Sequence, residues 1–332
     1  MRAVMLSEFG PSSVLIPVEL PDPVPGPGQV VVQVAFASIT FVETQVRAGR
    51  PPNPAMTPQL PAVLGNGAGG VVSAVGADVD PALLGVRVVT TTGGRGGYAQ
   101  RCAVPAAGLI PIPDALAIDE AVALLADGRT AVGLTDAADP RPGETVLIEA
   151  AAGGVGSLLV QLAVHAGARV FALAGGARKL QVAHDLGAEV TIDYLQPGWA
   201  AAVRDRVGAV DVVYDGVGGQ IGRDAFNLLA PSGRYAGFGM ASGSFAAISP
   251  DTRPEITRLT FAPVTPEQSG QRTRRALDLA ASGVLRPVIG QRFPLDQAAD
   301  AHAAIEARAT IGKTLLIADT DIPNTEPAAG TR

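Results

Sequence analysis

The stretch "VLIEAAAGGVGSLLVQLAVHAG", residues 146–167, decides the fold. Ala150, Gly153 and Gly156 form an A-x-x-G-x-x-G pattern between an apolar run typical of a buried strand and a helix-like run. A turn with so few side chains indicates that a helix packs closely on the strand or that a charged ligand approaches the backbone. The first N–H groups of a helix and its positive dipole end favour an anion, so the pattern predicts a dinucleotide pyrophosphate site. A tight turn without any ligand is the alternative.

Short apolar segments and helical segments alternate after this turn, which predicts a doubly wound parallel sheet of the Rossmann type, covered on both faces. The first third of the chain reads instead as short β-branched runs divided by Gly and Pro, with one helix at 41–48. The chain is therefore predicted to be an α/β protein. The predicted segments after the glycine turn are strands at 169–175, 189–194, 210–218 and 234–240, and helices at 177–188, 199–207 and 221–233.

The end of the second strand in this series, "FALAGGARK" (171–179), bears on which dinucleotide is bound. An NAD site normally carries Asp or Glu here to bind the ribose hydroxyls. Gly175 and Gly176 occupy that place, and Arg178 and Lys179 follow. Since an acid would repel a 2′-phosphate and a cation attracts it, the pattern favours NADP(H). The alternative is that Arg178 and Lys179 are ordinary solvent-exposed charges.

Composition excludes several classes of function. The 332 residues carry a net charge of −6 without a basic run, so nucleic-acid binding is not indicated. No uninterrupted apolar span has membrane length and the start lacks a signal-peptide region, so we expect a cytoplasmic protein with no membrane partner. The lone Cys102 excludes an internal disulfide and a four-thiolate zinc site. His165, His184 and His302 are expected to lie partly exposed on helices, and no metal site is predicted.

Motifs along the whole chain carry a family resemblance. They are "PGPGQVVVQV", "FVETQVRAG", "GAGGVVSAVG", "GGYAQRCAVP", "AAAGGVG", "DVVYDGVGG" and "AHAAIEARATIGKTLLI". From Met1 to about Asp319 the sequence resembles the medium-chain dehydrogenase/reductases, specifically the zinc-free quinone oxidoreductase branch that includes zeta-crystallin. The resemblance implies a GroES-like lobe at 1–122 and 263–319, an inserted Rossmann NADP(H)-binding domain at 123–262, and a mobile tail at 320–332.

The same resemblance implies a set of residues that would bind NADPH. The pyrophosphate would lie on Gly153, Gly154, Val155 and Gly156; the 2′-phosphate near Gly175, Lys179, Tyr194 and Arg308; and the ribose and nicotinamide near Thr130, Val217, Gly218, Phe238, Gly239 and Met240. Two alternatives are open. Tyr194 could simply cap a strand, and Arg308 could form an ion pair with Glu306 or be solvated.

The implied reaction is hydride transfer from NADPH, without metal, to a small-molecule acceptor: a quinone, or a C=C bond conjugated with a carbonyl group in an enone or enal. Quinone reductases commonly have Asn where this chain has Thr40 and Tyr where it has Gln45, so these two positions do not point to quinone as the natural acceptor. Gly67 stands in the acidic position of the zinc-dependent branch, which favours the absence of zinc. Thr40, Gln45 and Asp127 are the candidate catalytic residues, which would hydrogen-bond the acceptor oxygen or relay a proton. Asp127 could alternatively cap the "GRTAVGL" helix.

Two other functions are left open by the sequence. One is an enoyl reductase or tailoring enzyme that acts on polyketide intermediates, and the other is an NADPH-binding protein without turnover. We also expect a homodimer formed through the edge strand of the Rossmann sheet, supplied by "RYAGFGM" (234–240) and "SGSFAAIS" (242–249). A capped edge on a monomer is the alternative.

Overall fold

The computed structural model describes residues 1–259, 264–319 and 321–324, which fold as two compact units. The first unit takes in Met1–Ala126, Thr273–Ser282 and the described residues from Pro287 onward. The second takes in the described residues of Asp127–Arg272 together with Gly283–Arg286. The predicted domain boundaries stay predictions, and residues 262 and 263 lie outside the described residues. Of the predicted mobile tail, only 321–324 are described.

The described residues form sixteen strands and eight α-helices. The strands are Arg2–Leu6 (β1), Leu15–Glu19 (β2), Gln29–Ile39 (β3), Ala62–Val63 (β4), Gly67–Val75 (β5), Arg87–Thr91 (β6), Arg101–Pro105 (β7), Ile110–Pro111 (β8), Thr145–Ile148 (β9), Arg169–Ala174 (β10), Val190–Asp193 (β11), Val210–Asp215 (β12), Leu229–Gly237 (β13), Thr257–Arg258 (β14), Gln291–Pro294 (β15) and Thr314–Ile317 (β16). The helices are Phe41–Arg47 (α1), Ile118–Ala138 (α2), Gly154–His165 (α3), Ala177–Asp185 (α4), Trp199–Val207 (α5), Gly219–Phe226 (α6), Pro266–Ala281 (α7) and Ala298–Glu306 (α8).

The first unit contains a small sheet, in the order β2-β1-β4, and a larger sheet built from both ends of the chain. The larger sheet has the order β15-β16-β3-β5-β6-β8, and β7 also pairs with β3. β16 lies antiparallel to β3, with Thr314 opposite Ile39. Val30, Val32 and Leu316 are among the buried residues of this unit's core. The GroES-like lobe expected from both chain ends is therefore confirmed.

One histidine of the first unit departs from expectation. His302 is fully buried, and its Nε2 lies 3.0 Å from the Tyr98 hydroxyl oxygen. Burial lowers the pKa of His302 to about 3, so the imidazole is neutral near pH 7. The prediction of partly exposed helix histidines is wrong for His302, because α8 turns this residue into the apolar core that surrounds Tyr98.

The second unit is built on one parallel sheet with the strand order β11-β10-β9-β12-β13-β14. Its core includes Leu147, Phe171, Val213 and Phe226. Chain order runs outward from β9 in one direction and from β12 in the other, so the topological switch point lies between these two strands. Ligands of open parallel sheets bind at the carboxyl ends of the strands beside such a point. The predicted doubly wound sheet is confirmed.

Two predicted details of this sheet are wrong. The helix expected at 221–233 ends at Phe226, and β13 begins at Leu229, which pairs with Val210. Leu228 and Leu229 are both buried, and this pairing overrides the helical spacing of their apolar run. The segment "RYAGFGM" is not the outer strand either, because β14 pairs with β13, and 242–249 form no strand.

Within the described part of the chain, no helix combines the length and the hydropathy needed to span a bilayer.

Candidate functional site

The glycine turn lies at the carboxyl end of β9, beside the switch point, and leads into α3. A Cβ atom placed on Gly156 would lie 2.9 Å from the carbonyl carbon of Ala150 and 3.0 Å from the Cα atom of Ala151, and closer still to the Ala150 oxygen. All three obstructing atoms belong to the backbone, so only glycine lets α3 begin this close to the turn. Ala150 itself has a left-handed backbone, with φ +48°.

Gly153 is the N-cap of α3, and no described side chain caps it. Gly153, Gly154 and Val155 are only half-buried, so solvent reaches the start of the helix. A Cβ atom on Gly153 would meet one close neighbour, the Ala150 oxygen at 3.1 Å. Packing inside the protein therefore leaves space in front of this residue, on the side from which an anion would approach the helix N–H groups. The geometry fits the pyrophosphate of a dinucleotide.

Gly154 has a different neighbour, the side chain of Asp127. A Cβ atom on Gly154 would overlap Asp127 Oδ2 and would lie 2.9 Å from its Cγ. Asp127 lies inside α2 and is 9% exposed, so the interpretation that it caps a helix start is wrong. Its carboxyl group lies against the first turn of α3 instead, where a negative charge interacts favourably with the helix dipole.

The carboxyl ends of β10 and β11 bring several predicted residues together. Ala174 pairs with Asp193 at the end of both strands. Gly175 follows at once, and a Cβ atom on it would lie 3.5 Å from the ring of Tyr194. Lys179 lies in the first turn of α4, directly after this corner, and is half-buried.

Asp193, which the sequence analysis missed, connects these two strand ends. Its Oδ2 accepts a hydrogen bond from the Gly176 N–H (3.2 Å), and its Oδ1 accepts one from the Leu195 N–H (2.9 Å). Both carboxylate oxygens are thus engaged with backbone, and the residue fixes the loops on either side. The sequence signal that could have identified Asp193 is an acidic residue near the end of the predicted strand "EVTIDY".

The loops after β12 and β13 form the other half of the site. The main-chain oxygen of Asp215 accepts hydrogen bonds from the N–H groups of Phe238 (2.9 Å) and Gly239 (3.2 Å), and the Ser242 N–H donates to the Val217 oxygen (2.8 Å). These bonds bring the segment that follows β12 against residues 238–242. The residues expected to line the nicotinamide channel at 217–218 and 238–240 are therefore neighbours.

Two buried carboxyl groups at the switch point were also missed. Glu149 directly follows β9 and Asp215 ends β12; they are 0% and 1% exposed. Asp215 Oδ1 accepts hydrogen bonds from the N–H groups of Val217 (2.9 Å) and Gly218 (2.6 Å), and its Oδ2 accepts one from the Tyr235 hydroxyl. Burial, and then the neighbouring Asp215, raise the pKa of Glu149 well above its ordinary value. The sequence signals that could have identified them are the acidic residues directly after the apolar runs of the predicted strands, Glu149 in "VLIEA" and Asp215 in "VVYDG".

The candidate catalytic residues are divided between the two units, since Thr40 and Gln45 lie in the first and Asp127 in the second. Thr40 is the N-cap of α1: its Oγ1 accepts from the Glu43 N–H (3.4 Å) and donates to Glu43 Oε2 (2.9 Å). Gln45 is buried, and its Nε2 donates to Thr44 Oγ1 (3.1 Å).

The remaining two predicted coenzyme residues are likewise in different units. Thr130 lies on α2 in the second unit and is half-buried. Arg308 lies in the first unit, exposed, just after α8, with a left-handed backbone at φ +55°.

The described residues do not fit a zinc site. Zinc in proteins takes Cys, His or carboxylate ligands. Cys102 is buried, and burial raises the pKa of its thiol to about 12, which disfavours the thiolate that a metal binds. Among the residues that the structure describes, no three His, Cys, Asp or Glu side chains are grouped to hold a metal ion.

Comparisons with known proteins match two parts of the chain. Residues 26–114 match the family model described as the alcohol dehydrogenase GroES-like domain, and residues 186–316 match the model described as zinc-binding dehydrogenase. A 2-haloacrylate reductase from a Burkholderia species is 33% identical over 96% of this chain and 98% of its own length. A quinone oxidoreductase from Pseudomonas aeruginosa is 33% identical over 88% of this chain and 92% of its own length.

Solved structures agree with these relatives. Escherichia coli quinone oxidoreductase in complex with NADPH superimposes with a TM-score of 0.87, at 29% identity, over 96% of this chain and all of that one. A mycobacterial protein in complex with NADPH gives a TM-score of 0.85 at 34% identity, over 96% of this chain and 99% of that one. Given this similarity over almost the whole length, the chain belongs to the quinone oxidoreductase branch of the medium-chain dehydrogenase/reductase family.

Proposed function

We propose that this protein is an NADPH-dependent oxidoreductase that passes hydride to a quinone or to a C=C bond conjugated with a carbonyl group. The observation that carries the proposal is the uncapped, half-exposed start of α3 at the switch point, with Lys179 in the first turn of α4 and Tyr194 directly after β11. The relatives support it: they include quinone oxidoreductases and a reductase of 2-haloacrylate, whose C=C bond is conjugated with a carboxyl group. NADPH is the coenzyme in two of the similar structures.

NADPH would supply the hydride from its nicotinamide ring when bound. The N–H groups at the start of α3 would bind its pyrophosphate, and Lys179 and Tyr194 would bind the 2′-phosphate. Residues 217–218 and 238–240 hold the nicotinamide. These residues do not change the coenzyme chemically; they fix its orientation and keep water away from the transfer.

The acceptor would be held by hydrogen bonds from Thr40 or Gln45, and Asp127 is the candidate for relaying a proton. The Gln45 side-chain amide has two hydrogens on Nε2 and gives one to Thr44. The Thr40 hydroxyl gives its hydrogen to Glu43, so it must rotate before it can donate to an acceptor oxygen. Gln45 is therefore the better placed donor of the two. We propose that no metal assists, because an activated acceptor gives a delocalised anion that needs no Lewis acid.

We further propose a homodimer and a cytoplasmic location. β14 is one of the two outer strands of the second unit's sheet among the described residues, and its Thr257 is exposed. An exposed strand edge is suited to pairing with a second copy. Sedimentation of the wild-type protein at low concentration tests the dimer, and a single monomeric species would refute it.

The reaction is tested by mixing the purified protein with NADPH and a panel of acceptors. The panel contains a quinone, an enone, 2-chloroacrylate and an enoyl thioester, and loss of the reduced-nicotinamide absorbance reports turnover. Oxidation of NADPH by the quinone or the enone supports the proposal. Turnover of the thioester alone favours the enoyl reductase alternative, and tight NADPH binding with no turnover favours a binding role. Failure to bind NADPH refutes the proposed function.

A further inference from the structure

Two buried carboxyl groups point at the same backbone N–H, that of Val217. Asp215 Oδ1 lies 2.9 Å from this nitrogen and Glu149 Oε2 lies 3.3 Å from it. Asp215 also binds the next N–H, that of Gly218. The two acids come from different strands, β9 and β12, and meet only because these strands are adjacent at the switch point.

Two negative charges cannot stably share this place, since both side chains are almost completely shielded from water. Asp215 accepts three hydrogen bonds, from Val217, Gly218 and Tyr235. Glu149 accepts one, and its Oε1 receives none from any described group. A proton on Glu149 removes the second charge, and because both carboxyl groups lie on the Val217 N–H, that proton can be donated towards Asp215.

We propose that Glu149 and Asp215 share one proton, and that this neutralised pair holds the Val217–Gly218 turn in the conformation that receives the nicotinamide half of NADPH. The inference rests on the proposed function. Both are positioning residues, because they act through the turn. No step of hydride transfer passes through them, and the pair neither gains nor loses its proton during turnover.

The surroundings define how the pair responds to pH. The titratable groups that act on Glu149 are Asp215 on β12, Tyr235 on β13 and Asp224 on α6, and both aspartates raise the pKa of Glu149. Raising the pH removes the shared proton and leaves two adjacent anions. Their repulsion pushes the two carboxylates apart, so they no longer both accept from the Val217 N–H. The turn then loses the hydrogen bonds that hold it in place. NADPH affinity is therefore expected to fall at alkaline pH.

The experiment measures the dissociation constant of NADPH, from its fluorescence, between neutral pH and about pH 9.5, a range in which lysine side chains keep their charge. The wild type is compared with Glu149→Gln, whose neutral amide keeps a donor for Asp215 and an acceptor for Val217. Glu267→Gln, at an exposed position on α7, is the matched control. We expect the wild type and the control to lose about tenfold or more in affinity as the pair ionises, and Glu149→Gln to change by less than about twofold.

A second readout needs no coenzyme. At neutral pH the infrared difference spectrum of the wild type minus Glu149→Gln should contain the C=O band of a buried protonated carboxyl group, and the difference spectrum of the wild type minus Glu267→Gln should lack it. The difference removes any band from Glu43, another buried carboxyl group whose pKa burial raises. A Tyr235→Phe variant, which removes one donor to Asp215, should shift the fall in affinity to higher pH, because the doubly ionised pair loses a stabilising hydrogen bond.

These outcomes separate the two proposals. If Glu149→Gln and the wild type lose affinity in parallel, or if the difference spectrum of the wild type minus Glu149→Gln lacks the carboxyl band, the shared proton is refuted while NADPH binding stands. If the wild type binds no NADPH at any pH, the proposed function fails, and the positioning role fails with it.

Discussion

Replacing Gly156 by alanine should strongly lower both the stability of the fold and the affinity for the coenzyme, whereas replacing Gly153 should lower the affinity with only a small loss of stability. The added methyl group at Gly156 would be pressed against Ala150 and Ala151, whose obstructing atoms are backbone and cannot rotate away. The added methyl group at Gly153 meets only the Ala150 oxygen at 3.1 Å, which a shift of a few tenths of an ångström relieves.

The magnitudes follow from these contacts. Overpacking a tight interior position costs about 1–3 kcal/mol, and we expect about 3 kcal/mol for Gly156→Ala because α3 as a whole must move away from the turn. The backbone of Gly153, at φ −81° and ψ 174°, is open to alanine, so Gly153→Ala loses about 1 kcal/mol as a poorer N-cap. Its methyl group would nevertheless stand between the N–H groups and a phosphate, which should weaken NADPH binding by about tenfold or more.

Urea unfolding followed by circular dichroism measures the free energy of unfolding, and nicotinamide fluorescence measures the dissociation constant of NADPH. Equal stability of Gly156→Ala and the wild type would show that the close packing at this turn does not matter. Unchanged NADPH affinity in Gly153→Ala would show that the coenzyme phosphates do not lie on the start of α3.

Three further variants test other parts of the structure. Lys179→Ala should weaken NADPH binding about tenfold or more but leave NADH affinity unchanged, since only NADPH carries a 2′-phosphate; the exposed Arg204→Ala is the control, and equal loss for both coenzymes contradicts the assignment. Thr40→Ala should lower the free energy of unfolding by about 1 kcal/mol, because it removes the cap of α1; an unchanged urea midpoint would contradict this. Glu149 should make the free energy of unfolding depend on pH. Above pH 4.5, the ordinary pKa of this side chain, the unfolded chain releases its proton. The folded protein keeps that proton until the pH reaches the raised pKa of the folded state. Wild-type stability should therefore fall with rising pH by about 1.4 kcal/mol per unit relative to Glu149→Gln, and parallel curves would refute the buried proton.

Local patterns in the sequence were enough to predict most of the parallel sheet. Apolar runs of strand length, separated by helical spacing and glycine turns, specify β9 to β12 because each element buries its own apolar face. The exception was the run around Leu228 and Leu229, whose apolar residues suit a helix and a strand equally well. The pairing with Val210 decides it, and that pairing depends on residues distant in the chain.

The candidate site was predictable only where a single stretch of chain forms it. The turn from Gly153 to Gly156 is such a stretch, and its glycines carry the information locally. Glu149 and Asp215 lie on different strands, and their meeting depends on the order in which the strands pair. The position of Asp127 against Gly154 depends in the same way on the packing of α2 beside α3. Such contacts leave no periodic mark in the sequence.

The pairing of β16 with β3 has a consequence for the order in which the protein is made. On one side of β3, residues 36–39 pair with β16 and with no other described strand. The residues of β16 leave the ribosome long after those of β3. Until then, a strand of high β propensity has an open row of N–H and C=O groups, which is a risk of aggregation. The second unit has no such dependence on β16 and can fold while synthesis continues, so the nascent chain should pass through a stage with one finished unit and one incomplete sheet. A ribosome stalled just before Thr314 would capture that stage, with β3 accessible to chaperones.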